Sequence, residues 1–164
     1  MKIREVRLDD AAAIAAIYNY YVLNTTVTFE EEPVSADEIG RRINKVTANY
    51  PWLVAVDDDG KVKGYSYAGT WHHRSAFRYT VESTIYIAND AHGMGLGKTL
   101  YSALLERLKI QGVHSVIGSL GLPNPGSVAL HEKLGFEKIA HLKEVGWKFE
   151  QWLDVGYWEL ILES

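Results

Sequence analysis

Residues 79–101 read YTVESTIYIANDAHGMGLGKTLY, an alternating run rich in β-branched residues, then a glycine-rich turn, then the start of an apolar stripe. Alternation along TVESTIYI predicts a strand with Val81, Ser83, Ile85 and Ile87 on one face and Thr80, Glu82, Thr84 and Tyr86 on the other. After the turn, Leu100, Leu104 and Leu108 recur four apart, Tyr101 and Leu105 widen the stripe, and Gly112 stands where a C-terminal stop belongs, so a helix is expected. Between the two, Gly93, Gly95 and Gly97 open backbone conformations closed to other residues and leave no Cβ in the way of a ligand. Strand, glycine turn and helix N-terminus form a general anion site, with free N–H groups and the positive end of the helix dipole facing the ligand. A phosphate-bearing ligand is the expectation; a plain glycine-rich connection is the alternative.

Spacing separates the known phosphate loops. The nucleoside-triphosphate P-loop needs G-x-x-x-x-G-K-[ST], whereas only three residues lie between Gly93 and Gly97, and the extra position is His92. The dinucleotide fingerprint G-x-G-x-x-G fails too: its last glycine would fall on Lys98 or on Leu100.

Outward from this stretch, KIREVRL reads as an opening strand, and Asp9 or Asp10 as the cap of a helix through Ala11, Ile14, Ile17 and Tyr18. Ser35 with Glu38 forms a capping-box signature for a second helix through Ile39 and Ile43, closed by Pro51. WLVAV and KVKGYSYAGT read as a hairpin about DDDG, with Gly60 supplying a positive φ. Beyond the glycine loop and its helix come a buried strand at HSVIGSL, a turn at GLPNPG, a short helix over SVALHEKL, and final strands around EKIAHLKEV and WLDVGYWELIL. The order β-α-α-β-β-β-α-β-α-β-β predicts an α/β or α+β domain, a mixed sheet with helices on its faces.

At 164 residues the chain suits one domain, taken as 1–164. A net charge of −4 with interspersed signs offers no basic stripe for nucleic acid, so no nucleic-acid partner is expected. The absence of cysteine removes disulfides, a thiolate nucleophile and cysteine metal sites. The start MKIREVRLDD reads as neither signal peptide nor membrane span, and stretches such as AAAIAAIY fall short of the roughly 20 residues a bilayer requires; a cytoplasmic protein without membrane contact is expected.

Two motifs carry a resemblance. His92, Gly93, Met94, Gly95, Leu96 and Gly97 resemble the pyrophosphate loop [QR]-x-x-G-x-[GA] of the GCN5-related N-acetyltransferases (GNAT), with His92 in place of the leading Gln or Arg. GLPNPGSVALHEKLGF resembles that family's second signature, N-x-x-[SA]-x-x-x-Y-x-x-x-G-F, matching at Asn124, Ser127, Gly135 and Phe136 and placing His131 where the family has tyrosine. With VEST, LHEKLGF and DVGYW, nearly the whole chain resembles the phosphinothricin and methionine sulfoximine acetyltransferase subfamily.

The resemblance implies the GNAT acyl-CoA N-acyltransferase fold, with a mixed, mostly antiparallel central sheet and helices on both faces. It implies acetyl-CoA as co-substrate, a small amino-acid-like acceptor and a homodimer. The pantetheine arm would pair with backbone groups at Ile85, Tyr86 and Ile87, in the gap between the fourth and fifth strands. Residues 92–98 with Thr99 would hold the pyrophosphate, and Asn124 and Ser127 would contact coenzyme A. Glu82 would be the general base, Arg74 would hold the acceptor's carboxylate, and Phe29, Trp71, His73, Ser83 and Thr84 would be its neighbours.

The chemistry agrees with these assignments. An α-amino group of pKa about 7.7–8.0 is largely protonated near neutrality, and a carboxylate such as Glu82 can accept that proton directly or through water. A structural ion pair of Glu82 with Arg78 is the plainer alternative. His131 could protonate the departing thiolate as an imidazolium or orient the amine or a water; alternatively it is a packed side chain. Arg74 can grip a carboxylate with two parallel hydrogen bonds. Adjacent His72 and His73 would point to opposite faces of a strand with no third ligand, so no metal is expected. Trp147, Phe149, Trp152, Tyr157 and Trp158 read as core and sheet-face packing, with a place for some of them at a dimer interface or substrate pocket as the alternative. Two rivals stand: a non-catalytic acyl-CoA sensor, which needs neither Glu82 nor His131, and a P-loop-like nucleotide-binding protein, which lacks both the loop spacing and a suitable Mg²⁺-binding aspartate.

Overall fold

A computed structural model describes residues 1–163 of the chain. Its seven strands form one sheet, ordered β1 (Lys2–Glu5), β2 (Trp52–Val56), β3 (Val62–Thr70), β4 (Thr80–Ile87), β5 (Ser115–Leu122), β7 (Gln151–Ile161) and β6 (Glu137–Lys148). The β4–β5 pair is parallel and all other neighbours are antiparallel. Helices α1 (Ala11–Asn24), α2 (Ala36–Thr47), α3 (Leu96–Gln111) and α4 (Pro125–Lys133) complete a mixed α/β fold in the element order expected.

The period-two and period-four patterns build one core on each face of the sheet. On one face, Ile14 and Val22 of α1 and Ile39 and Ile43 of α2 pack with Trp52, Val54 and Tyr65. On the other, Leu100, Leu104 and Leu108 of α3 are fully buried with Ala55, Val81 and Val116. Each of these leucines contributes about 1.5–3 kcal/mol by leaving water. Helix α3 stops at Gly112, whose φ of +96° supplies the left-handed C-terminal turn.

Several local expectations are corrected. Asp10 does not cap α1 with its side chain; the carboxylate accepts from the Arg7 N–H and grips Arg4 in a two-point ion pair at 2.8 and 2.9 Å. Ser35 does cap α2, accepting from the Glu38 N–H at 3.1 Å, but the Glu38 carboxylate turns to Arg41 and Arg42 instead of closing the box. Of the five C-terminal aromatics only Trp158 is core; Tyr157 meets Trp71 edge-on, and Trp147, Phe149 and Trp152 are more than half exposed. The reason is topological: these three sit about the β6–β7 turn, which runs past the last β5–β7 rung at Leu122–Asp154. His72 and His73 lie in an exposed loop with their rings stacked 4.8 Å apart, so strand alternation does not apply to them.

The feature that positions the site is a split in the sheet. Parallel pairing of β4 and β5 runs from Thr80–Ser115 to Ser83–Gly118 and stops. Beyond that rung β4 stays with β3 as far as Ile87–Gly64, and β5 stays with β7 as far as Leu122–Asp154, leaving a wedge between β4 and β5. The Ala88 N–H donates to Lys63 O, and Thr84 O accepts from the Ser66 hydroxyl, each at 2.8 Å. Because backbone groups alternate sides along a strand, the peptide groups of Ile85 and Ile87 face the wedge.

Candidate active site

A cavity of about 530 Å³ occupies the wedge and continues to the N-terminus of α3 and the inner side of α4. Among the residues singled out in the sequence, its wall includes Glu82, Ser83, Thr84, Ile85, Tyr86, Ile87, His92, Gly93, Gly95, Leu96, Gly97, Lys98, Asn124, Ser127 and His131. Met94, Thr99, Phe29, Trp71, His73 and Arg74 are not part of that wall. The Phe29 ring instead fills the space left by Gly121 and Gly146, where a Cβ would collide with it. Arg74 stands exposed ahead of a short turn at Ser75–Phe77, and its N–H donates to His72 Nδ1 at 3.4 Å.

The glycine loop is a cradle for an anion. Gly93 and Gly95 take left-handed φ of +81° and +72°, which side-chain-bearing residues adopt only under strain. Gly95 is the cap of α3 and offers no side-chain acceptor, so the first-turn N–H groups of Leu96, Gly97 and Lys98 have no intrahelical partner. The Thr99 N–H is the first to bond back, to Gly95 O at 3.2 Å, and the Thr99 hydroxyl goes to the same oxygen, so both Thr99 donors are used inside the protein. At Gly97 a Cβ would stand 3.3 Å from Leu130, a tight approach that keeps α3 and α4 together. Free backbone donors at the positive end of a 16-residue helix, with Lys98 beside them, fit a diphosphate.

Glu82 and His131 reach the cavity from opposite faces of the sheet. Glu82 lies on the α1 face of β4, opposite Gly69, where an added Cβ would meet nothing within 4 Å; the space beside the carboxylate is open. Among the described residues no cation pairs with Glu82, and burial alone raises its pKa above the ordinary carboxylate value. Arg78 turns away, donating to Ser75 O and lying over the Tyr79 ring, so the structural ion pair considered above does not form.

His131 is buried over Gly118. Its Nδ1–H donates to Ser127 O at 2.8 Å, since a carbonyl can only accept. In the neutral ring Nε2 is then an acceptor, and it takes the Tyr101 hydroxyl proton at 2.9 Å. Tyr101 O in turn accepts from the Ser83 hydroxyl at 2.5 Å. Burial lowers the His131 pKa, opposed by the bond to Ser127, and burial raises that of Tyr101, so both rings favour their neutral forms. Both ring nitrogens are engaged inside the protein. Tyr101 was legible in the sequence only as part of an apolar stripe; the signal available was that a core tyrosine must find a partner for its hydroxyl. At the N-terminus of α4, Asn124 Oδ1 accepts from the Ser127 N–H at 3.3 Å, with Pro125 at the first helical position.

Residues 3–156 match the acetyltransferase (GNAT) domain family. The chain belongs to the GNAT acetyltransferases. Membership makes it an acetyl-CoA-dependent N-acetyltransferase. The GNAT chain is 42% identical over 159 residues to a phosphinothricin N-acetyltransferase of Streptomyces viridochromogenes, covering 97% of this chain and 86% of the relative. It is 40% identical over 162 residues to an L-methionine sulfoximine/L-methionine sulfone acetyltransferase of Pseudomonas aeruginosa, covering 98% and 94%. An L-amino acid N-acyltransferase of Escherichia coli is 38% identical, covering 100% and 95%. Among solved structures, a phosphinothricin acetyltransferase from Sinorhizobium meliloti in complex with acetyl-CoA superposes with a TM-score of 0.95 at 39% identity, over 98% of this chain and 88% of that one. Among the described residues no group of three or more His, Cys, Asp or Glu could hold a metal, and no helix is long and apolar enough to cross a membrane.

Proposed function

We propose that this enzyme moves acetyl from acetyl-CoA to the α-amine of a small amino-acid analogue of the phosphinothricin, methionine sulfoximine or methionine sulfone kind. The observation that carries the reading is Glu82, a half-buried carboxylate with no cation partner at the mouth of the sheet split. It sits in the cavity that also holds the anion cradle. Identity of about 40% to relatives named for those acceptors, over nearly the whole chain, supports the substrate class.

Bound acetyl-CoA supplies a thioester as the acetyl donor. Leu96, Gly97 and Lys98 hold its diphosphate through their free N–H groups, and the wedge-facing peptides of Ile85 and Ile87 pair with its pantetheine arm as an added strand would. Glu82 takes the proton of the acceptor's ammonium, directly or through one water, and leaves the nitrogen lone pair free to attack the acetyl carbon. The N–C bond forms, the C–S bond breaks and the thiolate departs. The Ile85 N–H stabilises negative charge on the acetyl oxygen. Neutral His131, with both nitrogens engaged, holds Tyr101, which in turn takes the Ser83 hydroxyl proton and braces Ser83 at the cavity wall; the proton that the nitrogen sheds as the amide forms goes to the departing thiolate. Arg74, exposed at the entrance to β4, binds the acceptor's carboxylate, with Trp71, His73 and Thr84 near it. The enzyme works as a homodimer in the cytoplasm.

A second reading keeps the chemistry and changes the acceptor to an ordinary L-amino acid, favoured by the relative named for that activity. Thiol release separates the two cleanly, because the chain has no cysteine and a thiol reagent registers only freed coenzyme A. Acetyl-CoA is mixed with phosphinothricin, methionine sulfoximine, methionine sulfone, the common L-amino acids and polyamines in turn. Fastest release with the three analogues supports the proposal, and fastest release with an ordinary amino acid transfers it to the second reading. Acetyl-CoA binding with release from no acceptor would leave the sensor.

A further inference from the structure

The residue that departs from the family loop has a partner 71 positions away. Tyr21 of α1 reaches across the cavity wall, and its hydroxyl donates to Ile87 O and lies 2.8 Å from His92 Nε2. A hydroxyl has one proton. It is committed to the carbonyl, which can only accept, so toward His92 the Tyr21 oxygen must accept and Nε2 must carry a hydrogen. Burial pushes the Tyr21 pKa up to about 12, so the hydroxyl keeps its proton through the neutral range. The neutral His92 ring is therefore fixed as the Nε2–H tautomer, leaving a lone pair on Nδ1.

That tautomer is wrong for its position. His92 opens the diphosphate cradle, where the family has Gln or Arg, both donors without need of titration. With Nε2 turned to Tyr21, Nδ1 is the ring nitrogen left for an anion in the cavity that His92 lines; a bare lone pair there would repel it, and the remedy is a proton on Nδ1, which a neighbouring negative charge favours. We propose that His92 binds the diphosphate of acetyl-CoA as an imidazolium whose Nε2–H is held by Tyr21, so that acetyl-CoA binding takes up a proton at this residue. This rests on the acetyl-CoA reading above and goes beyond it, since the co-substrate's affinity becomes tied to pH through Tyr21. The other charged and titratable groups around the ring are few. Tyr21 faces it from α1, Lys98 lines the same cavity from the first turn of α3, and Asp90, two residues earlier, is paired with Lys63 of β3 at 2.9 Å. Tyr21 also grips the Ile87 carbonyl in the wedge, so the cradle and the pantetheine cleft share one pin.

The test is calorimetric and independent of turnover. Acetyl-CoA is titrated into the full chain in two buffers of different ionisation heat, at a slightly alkaline pH above the ordinary histidine range. Proton uptake is taken as the difference from His92→Gln, which restores a neutral donor and cancels protons released by the coenzyme's own phosphates. The wild type is expected to take up close to one proton more than His92→Gln. Its affinity, relative to that variant, is expected to fall by up to about tenfold per pH unit, the slope of a single linked proton. Tyr21→Phe, which frees the neutral ring to donate from Nδ1, is expected to bind without the extra proton. Equal uptake by wild type and His92→Gln would overturn the proposal, and full uptake by Tyr21→Phe would remove Tyr21 from it. Absence of binding heat in all three proteins would instead overturn the acetyl-CoA reading and this inference with it.

Discussion

At the scale of single residues, the site sets the environment of a carboxyl, Glu82, against that of an imidazole, His131. Glu82 and His131 are both desolvated, but only Glu82 lacks a hydrogen-bond partner among the described residues, so its burial is uncompensated. Burial of an unpaired carboxylate costs stability once it ionises. Its folded pKa lies above the unfolded one, so the destabilisation is absent below the unfolded value and grows as pH rises through the folded value. Glu82→Gln should therefore melt higher than wild type near neutral pH while losing about 10²- to 10⁴-fold in kcat, the usual worth of a general base. In the wild type, kcat/KM for the acceptor should fall on the acid side along a limb set above the ordinary carboxylate range. That limb should vanish in Glu82→Gln, and a variant with unaltered kcat would remove Glu82 from the mechanism. Arg74 supplies the complementary test, because a guanidinium binds a carboxylate in two-point geometry that an ammonium cannot copy. Arg74→Lys should raise the acceptor's KM about tenfold with kcat and acetyl-CoA KM little changed. A fall in kcat at unchanged KM would give Arg74 a different role.

At the scale of elements, the split between β4 and β5 and the seat of His131 share one position. Gly118 is the last parallel partner on β5, and a Cβ there would lie 2.7 Å from His131 Nε2 and 2.9 Å from its Cδ2. Gly118→Ala should push the ring off Tyr101, lower kcat, and cost about 1–3 kcal/mol by overpacking. At 164 residues that is a drop of several degrees in Tm. An unchanged melt with full activity would mean that the imidazole yields freely and that the hydroxyl chain is dispensable. Much of this level was legible beforehand. The strand, glycine turn and helix of residues 79–101 declare themselves by period and by glycine placement, and the element order follows from turns and caps. What escaped was contact between distant positions. Tyr101 meets His131 and Tyr21 meets His92 across 30 and 71 residues, and periodicity registers a tyrosine ring as apolar while saying nothing about where its hydroxyl goes. The seat of Phe29 escaped for the same reason, since the glycines that receive it lie on β5 and β6, far along the chain.

At the scale of the whole molecule, the unexplained feature is the sheet's far edge. Helices pack on both faces of the sheet at β2, β3 and β4 and α4 lies on β5, but β6 is an edge strand whose residues Glu137 to Val145 are almost all exposed. There Ile139, Leu142, Val145, Trp147, Phe149 and Trp152 are each at least 41% exposed, and Trp147 and Trp152 lie against one another with ring centres 4.7 Å apart. A long apolar edge invites pairing with another chain, and monomers seldom leave a patch of this kind bare. The same strand carries Glu137, Lys138, Lys143 and Glu144, charges of both signs that a second copy could pair across a two-fold axis. A second copy is the occupant we propose, because a two-fold axis needs nothing but the surface already present. Sedimentation at micromolar concentration should give about twice the 18.5 kDa chain mass. Trp152→Glu, placing a carboxylate where the interface would be dry, should shift the protein to monomer. The residue is exposed in the single chain, so the fold should tolerate the change, with far-ultraviolet circular dichroism unaltered. A wild-type protein that sediments as a monomer would sink the assignment. A dimer untouched by Trp152→Glu would move the interface elsewhere and leave the aromatic edge to a different partner.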